Sequence, residues 1–416
     1  IHAPHEEGAG APGAATARWL HKSLKYLSHT LENNQSSLVI AKGNSATVLT
    51  DLIQQTGARS VYWNRVYEPD ISERDEKVSM ALDALGVSAR SFAGSVIVEP
   101  MAALKADGTP YKVFTPFWKK LARHTLDELS APLSAPRLTP HGVAGIALDA
   151  LALVPDHPWT RKFGAQWQPG EQGAHDRLSR FIEDGLDRYK GERDIPAAPS
   201  TSRLSPHLHF GEIPPRQIIH AVRSARELGA NEEKFFSEIG WRDFAHALLH
   251  HFPHTVHDPL NPRYNDFPWR SGDDARADLE RWQRGETGFS LIDAGMQELW
   301  QTGTMHNRVR MITASFLVKN LRIHWREGAA WFRDTLFDAD LANNTLGWQW
   351  VAGSGADAAP YFRIFNPESQ AEKFDPKGVY RERFLGKGCL SRDIPPMVDL
   401  KKSREAALAA YQDIKD

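Results

Sequence analysis

Indoles and paired charges are concentrated in one segment of this 416-residue chain, from Trp300 to Phe365. Its tryptophans and the polar residues among them are Trp300, Trp325, Trp331, Trp348, Trp350, Arg308, Arg310, Asp338, Asp340, Asn343 and Asn344. A segment that only filled a core would use aliphatic side chains. Indoles among paired charges instead predict a site that holds a large flat cofactor and handles electrons.

A second candidate lies just ahead of a predicted helix. Ser205 fits the N-cap of that helix and Pro206 its first position. The hydroxyls of Thr201 and Ser202 and the guanidinium of Arg203 precede them. Helix N–H groups, hydroxyls and a guanidinium together suit a diphosphate. A capped helix without a ligand is the alternative that these residues leave open.

Glu238, Trp241 and Arg242 share one face of a predicted helix, because they are spaced i, i+3 and i+4. One interpretation is an exposed ion pair beside a half-buried indole. The other is a pocket wall, where apolar surroundings would raise the pKa of Glu238 and make it a hydrogen-bond or proton donor.

Another predicted helix carries two neighbouring stripes, Asn307 with Met311 and His306 with Arg310. A methionine stripe most often packs into a core. A ligand-facing stripe is the alternative for this helix.

Acidic residues follow the end of a predicted helix. Asp338 could pair with Arg310, while Asp340 and Asn344 could face one ligand. Carboxylates at this spacing can also hold a divalent metal, but Arg and Trp neighbours suit a metal poorly. We therefore predict no metal here.

A run of histidines offers a third kind of chemistry. Its members are His246, His250, His251, His254 and His257. The first two are spaced i, i+4 and could ligate the zinc of a metal-dependent hydrolase. No HExxH motif or nearby cysteine supports that interpretation, so solvated or capping histidines are favoured.

The composition is that of a globular protein with about two or three domains. Its net charge of −2 does not indicate nucleic acid by itself, although a local basic face could bind it. The one cysteine, Cys389, fits a reducing compartment such as the cytoplasm. No apolar run reaches the ~18 residues of a membrane span. The first residues lack a signal peptide and an initiator Met, which indicates a fragment or a processed form.

The elements that must position these residues change character along the chain. In residues 1–130, predicted strands at Leu38–Gly43, Ser60–Asn64 and Ala89–Phe92 alternate with helices, one of them begun by a capping box at Ser72 and Asp75. Such alternation predicts a parallel α/β sheet.

Residues 131–170 are rich in Pro, Gly and Ser and predict an irregular linker. From about 171 to 366 helical periodicity dominates, and the tail is polar until a final helix, so residues 171–416 are predicted to form one helical domain. The predicted helices are His175–Lys190, Pro215–Leu228, Asn231–His251, Phe289–Thr302, His306–Arg326, Ala329–Phe337 and Ser403–Ile414.

Several motifs occur together in a characteristic order: YWNRVYEP, VFTPFWKKL, TSRLSPHLHFGEI, SEIGWRDF, TGFSLIDAGM, MHNRVRMITASFLVK, DADLANN, GWQW and GADAAPYFRIFNP. Together they resemble the photolyase/cryptochrome family, most closely its microbial, class I-like cyclobutane pyrimidine dimer photolyases. The resemblance implies a Rossmann-like parallel α/β antenna domain, a long linker and an all-helical FAD-binding domain. The family's usual first strand, with a WFRRDLR-like motif, is missing here, so the front domain is expected to be incomplete.

The resemblance implies residues for a bent FAD. Those around the diphosphate are Tyr189, Thr201, Ser202, Leu204 and Ser205. Arg242 lies at a flavin position, and the pair of Arg310 with Asp338 would lie beside the isoalloxazine ring. Asp340 would meet the ribityl chain or ring edge, and Asn344 would face flavin N5.

The same resemblance implies a lesion pocket and an electron relay. The pocket residues are Glu238, Trp241, Asn307, Met311 and Trp350. Arg308 would contact a DNA phosphate at the rim, with Lys373 as a weaker candidate. Trp348, Trp325 and Trp269 match a chain of indoles that passes electrons to the flavin. Met311 disfavours a (6-4) photoproduct as the substrate, because a thioether cannot do acid–base work.

The implied activity is that of a deoxyribodipyrimidine photo-lyase, a carbon–carbon lyase. Excited FADH⁻, the working form of FAD, would split pyrimidine dimers in DNA. A cryptochrome-like blue-light photoreceptor without repair is the alternative, which Glu238, Asn307, Met311 and Asn344 disfavour. A folate or deazaflavin antenna would fit the family, with Glu68 as a possible contact. We expect a cytoplasmic monomer.

Overall fold

The computed structural model describes residues 1–125, 129–154, 159, 166–358, 362–388 and 394–415. Its front part contains strands β1 (Ser60–Asn64) and β2 (Ser88–Phe92) and helices α1 (Ala14–Asn33), α2 (Ser45–Thr56), α3 (Pro69–Ala84) and α4 (Phe114–Thr125). Cys389 lies outside the described residues.

The two strands are parallel and pair in register along their whole length. Successive side chains of a strand face opposite sides, and Val61 and Ala89 pack on the same side as Leu82 of α3. Asn44 caps α2 by accepting a hydrogen bond from the Thr47 N–H at 3.0 Å. The predicted parallel strand–helix arrangement of this part is confirmed.

The strand predicted at Leu38–Gly43 is wrong. Within the described residues, Lys42 forms a single bridge with His2, and the Ile40 carbonyl accepts one hydrogen bond from the Ile146 N–H at 2.8 Å. A strand needs a neighbour that pairs residue after residue, whereas these contacts involve isolated residues. The segment is therefore a connection between α1 and α2.

The predicted start of α3 is also wrong. The helix begins at Pro69, three residues before Ser72, because the fixed φ of proline suits the first helical position. Asp75 does not complete a capping box and instead accepts a hydrogen bond from the Trp63 indole N–H at 2.9 Å.

Residues 129–154 contain one 3₁₀ turn, Leu148–Leu151, in otherwise irregular backbone. Beyond it the chain is helical. The helices are α5 (Glu171–Arg180), α6 (Tyr189–Glu192), α7 (Ser205–His209), α8 (Pro215–Ala225), α9 (Ala230–His251), α10 (Asp273–Arg284), α11 (Ser290–Thr302), α12 (Asn307–Ser315), α13 (Trp325–Thr335), α14 (Leu341–Ala352), α15 (Pro367–Phe374), α16 (Val379–Leu385) and α17 (Leu400–Asp413). The predicted all-helical second part is confirmed, while the boundaries at 130 and 170 remain predictions.

The single helix predicted at His306–Arg326 is interrupted. It ends as a π-helical turn at Phe316–Asn320, and Arg322 has a left-handed φ of 51°. A new helix, α13, then starts at Trp325, capped by the His324 ring nitrogen that accepts from the Arg326 N–H at 3.1 Å. Residues 329–335 of the predicted helix Ala329–Phe337 form the later part of this α13, which ends at Thr335.

Two large apolar cores hold the helices. One lies among α10–α14 and includes Trp282, Val309 and Phe316, and the other joins α4 to α8 and α9. In the second, Phe117 of α4 packs against Phe244 of α9 with ring centroids 5.1 Å apart. In the described part of the chain, no helix is both long and apolar enough to cross a membrane.

The front part is also joined to α9 by a buried carboxylate. Asp243, which is 1% exposed, accepts hydrogen bonds from the Ile97 N–H at 2.7 Å and the Val98 N–H at 3.0 Å. Burial raises the pKa of Asp243 to about 7, against the opposing effect of these N–H groups and of Arg242.

Candidate active site

The loop before α7 has an unusual backbone. Arg203 has a left-handed φ of 53°, and its guanidinium lies 5.3 Å from the ring centroid of Trp167. The Leu204 N–H donates to the Ser202 hydroxyl at 3.4 Å. Ser205 is the first helical residue and not the predicted N-cap, since Leu204 occupies the cap without a side-chain hydrogen bond. The Ser205 hydroxyl therefore has no capping role.

Tyr189 is buried at the start of α6, and its ring packs edge-on against Phe181 and Phe235. Burial, followed by the charge of Glu238, raises the pKa of its hydroxyl. Arg193 forms a hydrogen bond to that hydroxyl. Sequence reasoning missed Arg193, although its i, i+4 spacing from Tyr189 signals proximity.

Glu238 is held by two cations. Its carboxylate lies 2.8 Å from the Arg193 guanidinium and 2.7 Å from the Lys234 ammonium, and its side chain is 23% exposed. Charged partners therefore occupy the surroundings for which one interpretation of the sequence expected an apolar pocket wall. They also fix the direction in which the carboxylate points.

The other two residues of this α9 face contact the front part. Trp241 stacks on Phe114 with centroids 3.8 Å apart and planes 12° apart. Arg242 donates to the Ser95 carbonyl and, at 3.4 Å, to the Leu208 carbonyl. Trp241 thus presents at most one ring face to a ligand.

The first turn of α12 lies beside this network. Arg308 pairs with Asp194 at 2.9 Å, and Asp194 directly follows Arg193 in the chain. Met311 Sδ lies 3.9 Å from the Asn307 amide nitrogen and 3.8 Å from the Arg308 guanidinium. Asp194 and Arg193 therefore connect the first turn of α12 to Glu238, and the pocket roles of Asn307, Arg308 and Met311 stay predictions.

The predicted pair of Arg310 with Asp338 is present. One guanidinium nitrogen lies 3.0 Å from each carboxylate oxygen, and Nε donates to the Met305 carbonyl at 2.7 Å. Asp338 is 8% exposed, so this pair is screened little by solvent.

Asp340 caps α14. Its carboxylate accepts from the backbone N–H and the side-chain amide of Asn343, both at 2.8 Å. Burial opposes ionisation, but His246 and then Arg242 outweigh it and lower the pKa of Asp340. The Asn344 amide donates to the Ala329 carbonyl at 2.9 Å, which leaves its oxygen as the acceptor toward a ligand.

Glu68, the possible contact for an antenna group, is bonded to another part of the protein. It is the N-cap residue of α3, and its carboxylate accepts a hydrogen bond from the Leu341 N–H at the start of α14. Burial and the nearby Asp340 raise its pKa to about 8. Glu68 therefore joins the front part to α14.

The three predicted relay indoles lie in one region. Trp348 is buried against Gly328 of α13, one helical turn after Trp325. From Trp325 the series continues outward, because the His324 ring lies 5.5 Å from Trp325 and 5.0 Å from Trp269. Trp350 is half-buried and lies 5.9 Å from the Arg363 guanidinium. It therefore does not continue this series.

The predicted histidine pair at i, i+4 diverges. Both rings lie edge-on to Tyr67, but His246 lies 3.9 Å from Asp340, whereas His250 contacts Met101. In the ranges that the structure describes, His, Cys, Asp and Glu nowhere form a group of three or more that could hold a metal ion.

Helices α7, α9 and α14 converge on one buried polar region. His209 of α7 lies within electrostatic range of Asp340, Asp338 and Arg242, and burial lowers its pKa. Both ring nitrogens of the buried His246 lack a hydrogen-bond partner, as does the indole N–H of Trp348. Buried polar atoms without a hydrogen-bond partner destabilise a fold. A ligand with polar groups and flat rings would supply the missing partners. FAD, with its diphosphate and two ring systems, fits this donor set.

Comparisons with known proteins agree with this geometry. A family profile described as "FAD binding domain of DNA photolyase" matches residues 235–388, and one described as "DNA photolyase" matches residues 1–137. A deoxyribodipyrimidine photo-lyase of Agrobacterium fabrum is 44% identical over 99% of this chain and 91% of its own length. Cryptochrome-1 of Arabidopsis thaliana is 34% identical over 92% of this chain, and the aligned part covers 58% of that relative's length.

A solved structure gives the same result. The crystal structure of a bacterial class III photolyase from Agrobacterium tumefaciens superposes with a TM-score of 0.91 at 44% identity, covering 97% of this chain and 89% of that one. That relative is described as class III, whereas the motifs favoured a class I-like subclass. The resemblance at family level, the two-part fold and FAD as the cofactor are confirmed. The chain therefore belongs to the photolyase/cryptochrome family and carries the FAD-binding domain of a DNA photolyase.

Proposed function

We propose that this protein is a light-dependent DNA repair enzyme that splits cyclobutane pyrimidine dimers. The observation that carries the proposal is the placement of α12. Its first turn carries Asn307, Arg308 and Met311, and Arg308 is connected to Glu238 through the adjoining residues Asp194 and Arg193, while Arg310 in the same helix pairs with Asp338. In this proposal, one short helix separates the lesion pocket from the flavin site.

Bound FAD supplies a light-excitable electron donor, and the chain's own residues set its surroundings. The hydroxyls of Thr201, Ser202 and Ser205 would hold the diphosphate, with Tyr189 and Leu204 as packing walls. Arg310 would place fixed positive charge beside the ring, which favours an anionic reduced flavin. The Asn344 oxygen cannot supply a proton.

On the DNA side, the lesion must leave the duplex to reach the pocket. Trp241 and Trp350 offer indole surfaces against which the splayed bases could pack. The Glu238 carboxylate would accept hydrogen bonds from the pyrimidine N–H groups, and Arg193 and Lys234 restrain it for that purpose. Arg308 would exchange part of its contact with Asp194 for a phosphate, and Lys373 would add a second cation.

Trp348, Trp325 and Trp269 would pass electrons from the surface to the flavin site. The proposal includes His324, whose ring lies between the last two indoles. We expect the protein to act as a cytoplasmic monomer. A folate or deazaflavin antenna would have to bind the front part away from Glu68.

The direct test uses FAD-loaded, chemically reduced protein and an oligonucleotide that carries one thymine dimer. Blue light should remove the dimer, and the same mixture kept in the dark should retain it. The similarity to cryptochromes supports a photoreceptor as the second candidate. Full flavin reduction without loss of the dimer under light would select that candidate and reject repair.

A further inference from the structure

The peptide group that joins Met305 to His306 is held from both sides. Its carbonyl accepts a hydrogen bond from Arg310 Nε at 2.7 Å, and its N–H donates to Glu298 Oε2 at 3.0 Å. The two side chains come from different helices, α12 and α11. They fix the plane of the peptide that immediately precedes the first turn of α12.

Each side of this clamp has a buried anchor. Arg310 is paired with Asp338, and Glu298 Oε2 also accepts the Tyr380 hydroxyl at 2.5 Å. Glu298 is 6% exposed and Tyr380 is fully buried. A continuous polar chain therefore runs from Asp338 through the clamped peptide to Tyr380 in α16.

The far end of the chain is fixed in turn. Asp375 accepts hydrogen bonds from the Tyr380 N–H at 3.0 Å and the Arg381 N–H at 3.1 Å, and it pairs with the Arg381 guanidinium. The preceding residue, Phe374, lies under the Arg308 guanidinium at 4.7 Å. The segment that carries Tyr380 thus contacts the proposed DNA-facing cation as well.

We propose that Glu298 and Tyr380 are positioning residues that couple α16 to the Arg310–Asp338 pair and to the first turn of α12. In this arrangement the Tyr380 hydroxyl determines the direction of Glu298, and Glu298 determines the plane of the Met305–His306 peptide. That peptide sets both the Nε contact of Arg310 and the exit direction of Asn307. The proposal rests on the proposed function, in which Arg310 lies at the flavin and Asn307 in the lesion pocket.

A purely structural hydrogen bond would behave differently. Its loss would lower the melting temperature without changing the flavin or the affinity for damaged DNA. Coupling predicts instead that loss of the Tyr380 hydroxyl, which does not itself contact Arg310 or Asn307, alters both the flavin and the affinity for damaged DNA. Hydrogen-bonded polar groups that are buried in series polarise one another. Removing the Tyr380 hydroxyl at one end should therefore affect the Arg310–Asp338 pair at the other.

The test compares Tyr380→Phe with Tyr411→Phe in the FAD-loaded protein. Tyr411 stacks on Phe362 with centroids 4.3 Å apart and is not a member of the polar series from Asp338 to Tyr380. We expect Tyr380→Phe to shift the absorption band of the oxidised flavin and to raise the KM for dimer-containing oligonucleotide by about 5-fold or more. Tyr411→Phe should match the parent in both.

Variants of Glu298 keep the test decisive if Tyr380→Phe folds poorly. Glu298→Gln retains an acceptor oxygen for His306 and Tyr380 and should preserve the parent's spectrum and KM. Glu298→Leu removes the acceptor and should reproduce the effects of Tyr380→Phe. A parent-like spectrum and KM in Tyr380→Phe and Glu298→Leu would overturn the proposal.

Failure of the proposed function is distinguishable from failure of the coupling. A parent protein that binds flavin but leaves the dimer intact would reject repair. The flavin absorption band alone would then still decide whether Tyr380 and Glu298 act on the Arg310–Asp338 pair.

Discussion

Glu238 lies between two cations, and in the proposed lesion pocket the direction of its carboxylate acts directly on the damaged bases. An acceptor fixed in this way can meet two pyrimidine N–H groups without reorganising. Because Lys234 lies on α9 but Arg193 directly follows α6, the orientation of Glu238 depends on long-range packing and not only on α9.

Glu238→Ala should therefore lower the repair yield by about 10-fold or more, the cost of a hydrogen bond to a charged group. Flavin content should remain that of the parent, because in the proposed function Glu238 contacts the lesion and not the flavin. Repair measured at matched flavin occupancy checks this, with Glu233→Ala, an exposed change on the same helix, as the control. Equal yields in the two variants would remove Glu238 from the pocket.

Sequence reasoning found the residues at this scale that carry a local pattern. The Arg310–Asp338 pair and the neighbourhood of Asn307 with Met311 were predicted correctly. The pairing of Arg193 with Glu238 and the Leu341 contact of Glu68 were missed, because neither arises from local periodicity. Both depend on segments far apart in the chain meeting at one place.

At the level of elements, the packing of α13 against α14 positions the proposed relay. A Cβ atom on Gly328 would lie 2.0 Å from Cη2 of Trp348, so only glycine lets this indole approach α13. The interruption after the π-helical turn has a related effect, because it makes Trp325 the first residue of a new helix.

Gly328→Ala should destabilise the protein by about 1–3 kcal/mol, the usual cost of overpacking a core. Gly191→Ala on the exposed side of α6, where an added Cβ meets nothing within 4 Å, is the matched control. It should be neutral or stabilising by up to about 1 kcal/mol. Urea unfolding of both variants measures the difference, and equal stability would contradict the observed packing.

Trp348→Phe should slow photoreduction of oxidised flavin by about 10-fold or more while leaving repair by chemically reduced protein intact. A phenyl ring is much harder to oxidise than an indole, but it retains most of the packing. Trp63→Phe in β1 serves as the control for loss of an indole elsewhere. Normal photoreduction in Trp348→Phe would place the electron path elsewhere.

Periodicity predicted most helices of the second part but could not predict their interruptions. The break before Trp325 depends on the left-handed φ of Arg322 and on the His324 cap. Neither an arginine nor a histidine predicts these roles from its residue type. The absent strand at Leu38–Gly43 has a similar origin. Its composition suits a strand, but pairing partners are a property of the whole fold.

At the scale of the molecule, buried ionisable groups make stability depend on pH. Burial, then Arg242, lowers the pKa of His246 to about 3, below its ordinary value of 6.5. Between these values the unfolded chain binds a proton that the folded protein does not. This histidine therefore makes the free energy of unfolding fall as the pH drops from about 6.5 toward 3. Asp243, with a raised pKa, opposes the effect between 3.8 and about 7.

His246→Gln should remove its part of this dependence. We expect the free energy of unfolding of the variant to fall less steeply than that of the parent as the pH is lowered from 6.5 to 4. Urea unfolding at several pH values, with the exposed His254→Gln as a control, measures the slope. Identical slopes in the parent and in His246→Gln would show that His246 takes up its proton over the same pH range in the folded protein and in the unfolded chain.

The contacts of Arg242 and Asp243 with residues 95–98 bear on how this enzyme could be dissected. A truncation that kept only the helices after the linker would strip a buried carboxylate of both its N–H donors and leave a guanidinium without its carbonyl. Such a fragment would have to expose or neutralise those charges. Helix α9 would also lose the contacts that fix the orientation of Glu238 and Trp241. The segment before the linker is thus a structural part of the catalytic half, whatever light-gathering group it does or does not carry.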